Sequence, residues 1–288
     1  MPVDIVDIAA RLTVVSDYAF GDTDLAGERL RILDRVFAPT AEALLTELTE
    51  LTELSAFAVA PRRIADLGCG PGATTRRLAT RFPAARVIGI DASASFCAEA
   101  AAALPTADFV HADVTEPLPG DPYDLIYARF LLAHLSDVPG AIRGWLGALG
   151  PGGVLVLEET ESITSADPWF ARYERLSVAR VGAAGADVYA GPRIRSALPT
   201  LSVDVLIDRV VELDNTAGEA AAMFWRNLVT WGEAAVAQGL IAEPDRAALL
   251  GHLRARDADT TRGRFVWEHH QTVLRSDRAH AGVDRRAA

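Results

Sequence analysis

The chain's strongest constraint is a glycine-spaced turn, Asp66-Leu67-Gly68-Cys69-Gly70-Pro71-Gly72-Ala73, set between a strand pattern at Arg63–Leu67 and a helical pattern beginning at Ala73. Glycines there let the backbone turn tightly and approach a ligand that a Cβ would exclude. The helix behind the turn offers free N–H groups and a partial positive charge to an anionic group. The next strand pattern, Arg86–Ile90, ends in Asp91, some twenty residues on, where a carboxylate can accept both ribose hydroxyls. A glycine turn in this context, with an acid at this spacing, predicts a nucleotide-type cofactor.

The surrounding rhythm predicts an α/β fold. Helices over Ala73–Phe82, Ser93–Leu104 and Val138–Leu149 alternate with strands at Asp108–His111, Tyr123–Ala128 and Val154–Leu157, the last entered through Gly150-Pro151-Gly152-Gly153. Such βαβ units give a mostly parallel sheet covered on both faces. Upstream, Leu30, Leu33, Phe37, Leu44, Leu45, Leu48 and Leu51 recur at helical spacing, and Pro39 is expected to break that helix. After Glu159 no clear strand is expected until Val203–Leu213. Helices follow over Ala217–Gln238 and Glu243–Arg256, then a last strand at Arg264–Leu274. The expected organisation is a helical cap segment at 1–60, a cofactor core at 61–160, a cap insertion at 161–202, a return to the core at 203–276, and a disordered tail at 277–288.

Composition narrows the partners. Half of the 288 residues are hydrophobic, enough to bury a core, and the net charge of −11 opposes binding to a phosphate backbone. Arg275, Arg278, Arg285 and Arg286 form only a short basic stretch without interleaved aromatics. Two cysteines, Cys69 and Cys97, give neither a disulfide framework nor metal-ligand spacing, so the expectation is a cytoplasmic protein with no metal. Neither a signal-peptide pattern nor a membrane-spanning apolar run is expected.

Two cofactors compete for the turn. Read as G-x-G-x-x-A it passes the dinucleotide fingerprint. Asp66, two residues before Gly68, would repel a pyrophosphate and suits a cationic amino group instead. Pro71 removes an N–H that a pyrophosphate would use. Asp113, after the third strand, supplies a third acid at a successive strand end, matching an ammonium, a ribose and an adenine. No Tyr-x-x-x-Lys hydride-transfer signature supports a nicotinamide-dependent oxidoreductase.

With these residues in view, Arg63–Glu159 resembles the core of the class I S-adenosylmethionine-dependent methyltransferases. The resemblance rests on Asp66–Gly72, Asp91, Asp113-Val114, the stretch Tyr123–Arg129 with Phe130–Leu135 behind it, and Leu149–Leu155. It implies a Rossmann-like, doubly wound seven-stranded sheet, mostly parallel with an antiparallel last strand, plus a helical cap. It also implies S-adenosylmethionine as cofactor and S-adenosylhomocysteine as product. The cofactor contacts expected are Asp66, Gly68, Gly70, Asp91 with Ala92, Asp113 with Val114, and Arg129. His134, after the fourth strand at the ligand edge, is the expected base or acceptor contact, against a packing or capping role. Tyr18, Glu158, Trp169 and Tyr173 are the expected acceptor contacts, Glu159 then facing solvent. His111 is expected to point into the core, and His269 and His270 to opposite sheet faces. The expected reaction is direct methyl displacement onto a small, partly hydrophobic, biosynthetic acceptor, in a chain that can pair as a homodimer through its N-terminal helices. The alternative is a protein of the same fold that keeps the cofactor without methyl transfer, cyclase-like or regulatory.

Overall fold

A computed structural model describes residues 24–50, 60–120, 122–213, 215–262 and 265–276. Seven strands form one sheet: β1 Arg63–Leu67, β2 Arg86–Asp91, β3 Asp108–His111, β4 Tyr123–Arg129, β5 Leu149–Ser165, β6 Val203–Glu212 and β7 Phe265–Ser276. Their order is β3-β2-β1-β4-β5-β7-β6, with β7 antiparallel to both neighbours and the pairings from β3 through β5 parallel. The chain winds outward through β2 and β3, then returns to the other side of β1 with β4. That reversal opens a crevice at the carboxyl ends of β1 and β4, the usual ligand position in such sheets. Registers of Leu67 with Ile90 and with Ala128, and of Arg129 with Glu158, bring the turn after β1, Asp91, Arg129 and Glu158 to one edge.

Helices α2 (Ala73–Arg81), α3 (Ala94–Ala103) and α4 (Val138–Gly147) connect these strands. One sheet face packs Leu67, Ile126 and Leu157 against Ile142 and Trp145 of α4 and Ile194 of α6 (Ala190–Ala197). The other packs Ile64, Tyr127 and Val156 against Leu78 of α2 and against Leu44, Leu45 and Leu48 of α1 (Asp24–Glu50). Burial on both faces explains why the interiors of β1, β4 and the first half of β5 are mostly apolar, Asp66 being the buried exception in β1.

A second core forms the cap. Ile32, Leu33 and Phe37 of α1 join Phe170 and Tyr173 of α5 (Pro168–Ala183), Phe224, Leu228 and Trp231 of α7 (Ala217–Ala237), and Leu249 and Leu253 of α8 (Glu243–Ala255). A capping box starts α7: the Thr216 hydroxyl accepts from Glu219 N at 3.1 Å while Glu219 accepts from Thr216 N at 2.9 Å.

Two expectations are corrected. Pro39 does not break α1, which runs through it. An internal proline costs a helix about 3 kcal/mol. Here the helix buries Phe37 on one side of the proline and Ala41, Leu44 and Leu45 on the other, each at most 1% exposed, and that burial outweighs the cost. Nor does the sheet stop at Glu159. β5 continues through Ser165 because β7 pairs with it as far as Ser165 opposite Phe265, crossing the 160/161 boundary. The polar run Glu159–Ser162 hid this extension.

Candidate cofactor and acceptor site

The turn after β1 takes a shape that only glycine adopts freely. Gly68, Gly70 and Gly72 have φ of 63°, 50° and 85°. A Cβ on Gly68 would stand 2.9 Å from Leu131 Cδ1, and one on Gly70 would stand 3.4 Å from Leu30 Cδ1 of α1. The turn is thus roofed by α1 and by the segment after β4. Asp91 fixes it from the side: Oδ2 accepts from Gly70 N and Oδ1 from Ser93 N, both at 2.8 Å. Each carboxylate oxygen can accept more than one hydrogen bond, so ribose hydroxyls can still be received.

Asp66 lies under the turn, 2% exposed, and accepts from Thr75 Oγ1 at 2.6 Å. Burial pushes its carboxyl up to about 7, partly opposed by the Thr75 hydrogen bond and by Arg129. A cationic group nearby favours its ionised form. Ala92 O lies 3.0 Å from His111 Nε2, and His111 is exposed rather than pointing into the core. It ends a strand at the edge of the sheet, with no further strand to cover it. Asp113 is also exposed, and its Oδ1 accepts from Thr115 N at 2.8 Å and Thr115 Oγ1 at 2.7 Å, an Asx turn. Val114 is buried in the core, its carbonyl accepting from Trp145 Nε1 at 2.8 Å.

Arg129, ending β4, donates through Nη2 to Asp34 Oδ1 of α1 at 2.6 Å. Its Nη1 is buried without a hydrogen-bond partner, an orphaned cationic donor beside the turn. Phe130, next in the chain, has φ of 55°, uncommon for a residue with a Cβ. Its N–H reaches Glu158 O at 3.0 Å, and its ring stacks on His269 at 5.2 Å.

Both glutamates ending the inner part of β5 are fully buried, which corrects the solvent-facing assignment of Glu159. The cause is cover on both faces of β5. Glu159 Oε1 accepts from Leu131 N and Leu132 N, both at 2.7 Å, bracing the segment after β4. Burial raises its carboxyl to about 8 against the pull of those N–H groups. Glu158 receives the Tyr127 hydroxyl and, at 2.8 Å, Gln271 Nε2, so both its oxygens are engaged inside the protein.

His134 is half-buried in the short helical turn Leu132–His134, and burial together with the Arg29 charge pulls its imidazole down to about 3. Tyr173 is buried, stacked on Phe224 at 4.1 Å, and its hydroxyl accepts from Asn227 Nδ2 at 2.6 Å. Trp169 stacks on His252 of α8 at 3.6 Å, and Tyr18 lies outside the described residues. His269 and His270 are both fully buried. The first stacks on Phe130, while Nδ1 and Nε2 of the second lie 3.0 Å from Gly191 O and 2.5 Å from Asp208 Oδ1. Among the described residues there is no cluster of three metal-ligating side chains and no helix long and apolar enough to cross a membrane.

The family described as "Methyltransferase domain" matches residues 64–153. That segment is similar to a methyltransferase domain. Two curated relatives are both trans-aconitate 2-methyltransferases. The one from Paracidovorax citrulli is 46% identical over 101 residues, 34% of this chain and 39% of the relative. The one from Methylobacterium radiotolerans is 36% identical over 155 residues, 54% of this chain and 60% of the relative. The chain therefore aligns with less than two thirds of either relative's length. Among solved structures, the YcgJ protein from Bacillus subtilis superposes with a TM-score of 0.56 at 17% identity, covering 83% of this chain and 98% of that one, a likeness of fold.

The matched segment gathers Gly68, Gly70, Asp91, Ala92 and Arg129 at one edge, with Asp66 beneath them. The sequence reading missed Asp34, Arg29 and Asn227. The first two carried no signal, being single charges on a long helix. Asn227 could have been found, since it interrupts the apolar stripe Ala220, Phe224, Leu228 and Trp231 of α7. A cavity of about 230 Å³ lies elsewhere, lined by Ile163, Thr164, Phe170, Glu174 and Phe265, several residues further along β5 than Glu158.

Proposed function

We propose that this chain is an S-adenosylmethionine-dependent methyltransferase acting on a small-molecule acceptor. The observation that carries this reading is the Asp91 carboxylate, held against Gly70 N at 2.8 Å at the mouth of a left-handed glycine turn. The residues fit the cofactor: Asp91 suits the ribose diol, buried Asp66 a nearby ammonium, and the orphaned Arg129 Nη1 a carboxylate. When bound, S-adenosylmethionine supplies an electrophilic methyl group. The protein's share is orientation and the exclusion of water, and orientation alone is worth roughly 7–11 kcal/mol of barrier. The α1 roof and the cap aromatics serve both ends.

The curated relatives' name supports an acceptor among small carboxylic acids, and the net charge of −11 favours such an acceptor over nucleic acid. A carboxylate oxygen is ionised at neutral pH and attacks without a general base. That suits His134, whose low basicity makes it a poor proton acceptor. Calorimetric titration with S-adenosylmethionine, S-adenosylhomocysteine and NADH, on wild type and Asp91→Ala, tests the reading. Binding of both adenosyl ligands, weakened about tenfold or more in the variant, supports it. Binding of NADH alone makes the chain an oxidoreductase.

A further inference from the structure

We propose that the cavity beside the last residues of β5 binds a small primary ammonium compound with an apolar body, with Glu174 of α5 as its counter-ion. This goes beyond the methyl-transfer reading and does not depend on it.

The cavity, about 230 Å³, is lined by Ile163, Thr164 and Ser165 of β5, Phe170 and Glu174 of α5, and Phe265 of β7. Alternation sends neighbouring strand residues to opposite sheet faces, so a cavity bordered by three in a row runs along an edge of β5. β7 occupies one edge, pairing Ile163 with Trp267 and Ser165 with Phe265. On the other edge β4 pairs with β5 no further than Glu158, and an edge without a strand partner presents backbone carbonyls as acceptors. Ile163 lies roughly 15 Å along the strand from Glu158, which sets the cavity apart from the cofactor edge.

The side chains add acceptors of their own. The Tyr189 hydroxyl donates to Glu174 Oε1, and burial together with Glu174 holds the phenol above its ordinary value, so it stays protonated. Glu174 is half-buried, and its Oε2 has neither a hydrogen-bond nor an ion-pair partner among the described residues. Arg172 of the same helix is taken by Asp245 at 3.0 Å. Arg256, 5.7 Å over the Phe170 ring, is taken by Asp167 at 2.5 Å. Phe170 and Phe265 meet edge-on with ring centroids 5.6 Å apart. A carboxylate short of a cation beside two aromatic rings suits an ammonium, whose N–H groups need acceptors and whose charge is drawn to a ring face. The volume falls below the roughly 300–1,000 Å³ of pockets for drug-sized ligands, so the occupant is small.

The test is calorimetric titration of the full chain with 2-phenylethylammonium, 2-phenylethanol and 3-phenylpropionate, which share an apolar body and differ in charge. Wild type, Glu174→Gln, Tyr189→Phe and Ala171→Leu are compared, Ala171 being a further wall residue. Expected is binding of the ammonium about tenfold or more tighter than of the alcohol, with no binding of the carboxylate. Ammonium affinity should fall about tenfold or more in Glu174→Gln, which removes the charge, and in Ala171→Leu, which fills the space. It should fall less in Tyr189→Phe, which only frees the carboxylate to turn. Saturation with S-adenosylhomocysteine should leave the ammonium affinity of wild type unchanged. The proposal is overturned if wild type binds none of the three or all alike. It is also overturned if Glu174→Gln keeps its ammonium affinity, which would make the attraction a general property of an acidic chain. Competition between the ammonium and S-adenosylhomocysteine overturns it too, because the ligand would then sit at the cofactor edge. Should Glu174→Gln fold poorly, Ala171→Leu decides alone, and undiminished binding there overturns the proposal.

Discussion

Asp34 on α1 and Arg129 at the end of β4 meet at 2.6 Å, and the same carboxylate holds Arg77 of α2 at 2.9 Å. Both guanidiniums are under a tenth exposed, whereas Asp34 keeps 22% of its side chain in solvent. One acid therefore ties the roofing helix to the two elements that flank the cofactor turn. Burial opposes the Asp34 charge, but Arg77 and Arg129 outweigh it and hold its carboxyl below the ordinary value.

Asp34→Asn should accordingly cost about 1–3 kcal/mol of unfolding free energy at neutral pH, since it leaves two buried cations short of their counter-charge in a partly solvated site. A depressed folded-state pKa contributes stability that is present above the unfolded value and is lost as pH falls through the folded one. The penalty, read from urea unfolding, should therefore shrink once the pH drops below the carboxylate range. An equal penalty in acid and at pH 7 would remove the ion pair as its cause.

Gly68→Ala places a Cβ at φ of 63°, a left-handed conformation that costs about 1–2 kcal/mol. The nearest atom, Leu131 Cδ1, is the end of a flexible side chain and can swing aside. Most of the loss should therefore persist in the Gly68→Ala/Leu131→Ala double variant, with weaker cofactor binding in both. Gly144→Ala is the counterpart: α4 is helical there and nothing lies within 4 Å of the new Cβ. It should gain up to about 1 kcal/mol in the same unfolding assay. A clash rather than backbone strain is at work if the double variant recovers fully.

The sheet core and the cofactor edge were legible because their signals are local. A glycine turn, an acid at a strand end and two-sided apolar runs each state their own geometry. What escaped depends on distant partners. The strand character of Thr160–Ser165 is conferred by β7, more than a hundred residues away. The burial of Glu159 follows from a segment after β4 whose N–H groups need an acceptor. Pro39 sits in a helix because the sheet and the cap each bury one side of it. Asp34 was invisible because an acid on a helix surface reads as solvated until its two arginines are in place.

His134 should behave as an acceptor contact and not as the group that sets the pH profile. With its imidazole held near 3, it stays neutral from pH 5 to 8. The pH dependence of kcat/KM should then show no inflection from this residue in that interval. His134→Ala should raise the acceptor KM and change kcat less than about tenfold, below the hundredfold typical of losing a general base. A large fall in kcat alone, with an inflection near 6.5 in wild type that the variant abolishes, would restore it as the base.

Glu159 offers the sharpest pH test of the segment after β4. Its folded-state carboxyl is raised to about 8, above its value in the unfolded chain, so the folded protein binds the extra proton between the two. By linkage, the stability it contributes is fully present below the unfolded value and is lost as pH rises through about 8. Asp66, raised to about 7, has a slope of the same sign, so the wild-type curve alone cannot isolate Glu159. The difference between wild type and Glu159→Gln can. Glutamine keeps an oxygen for Leu131 N and Leu132 N but puts an amide donor where Oε2 is buried without a partner, a cost of about 1–3 kcal/mol at pH 6. That cost should narrow as pH rises from 6 to about 8, where the unfolded chain has lost this proton and the folded protein still holds it, and should level off above that, while the variant has no proton to lose. Unfolding curves at pH 6, 8 and 9.5 measure it, and a constant difference across the three would mean that Glu159 is already ionised in the folded protein.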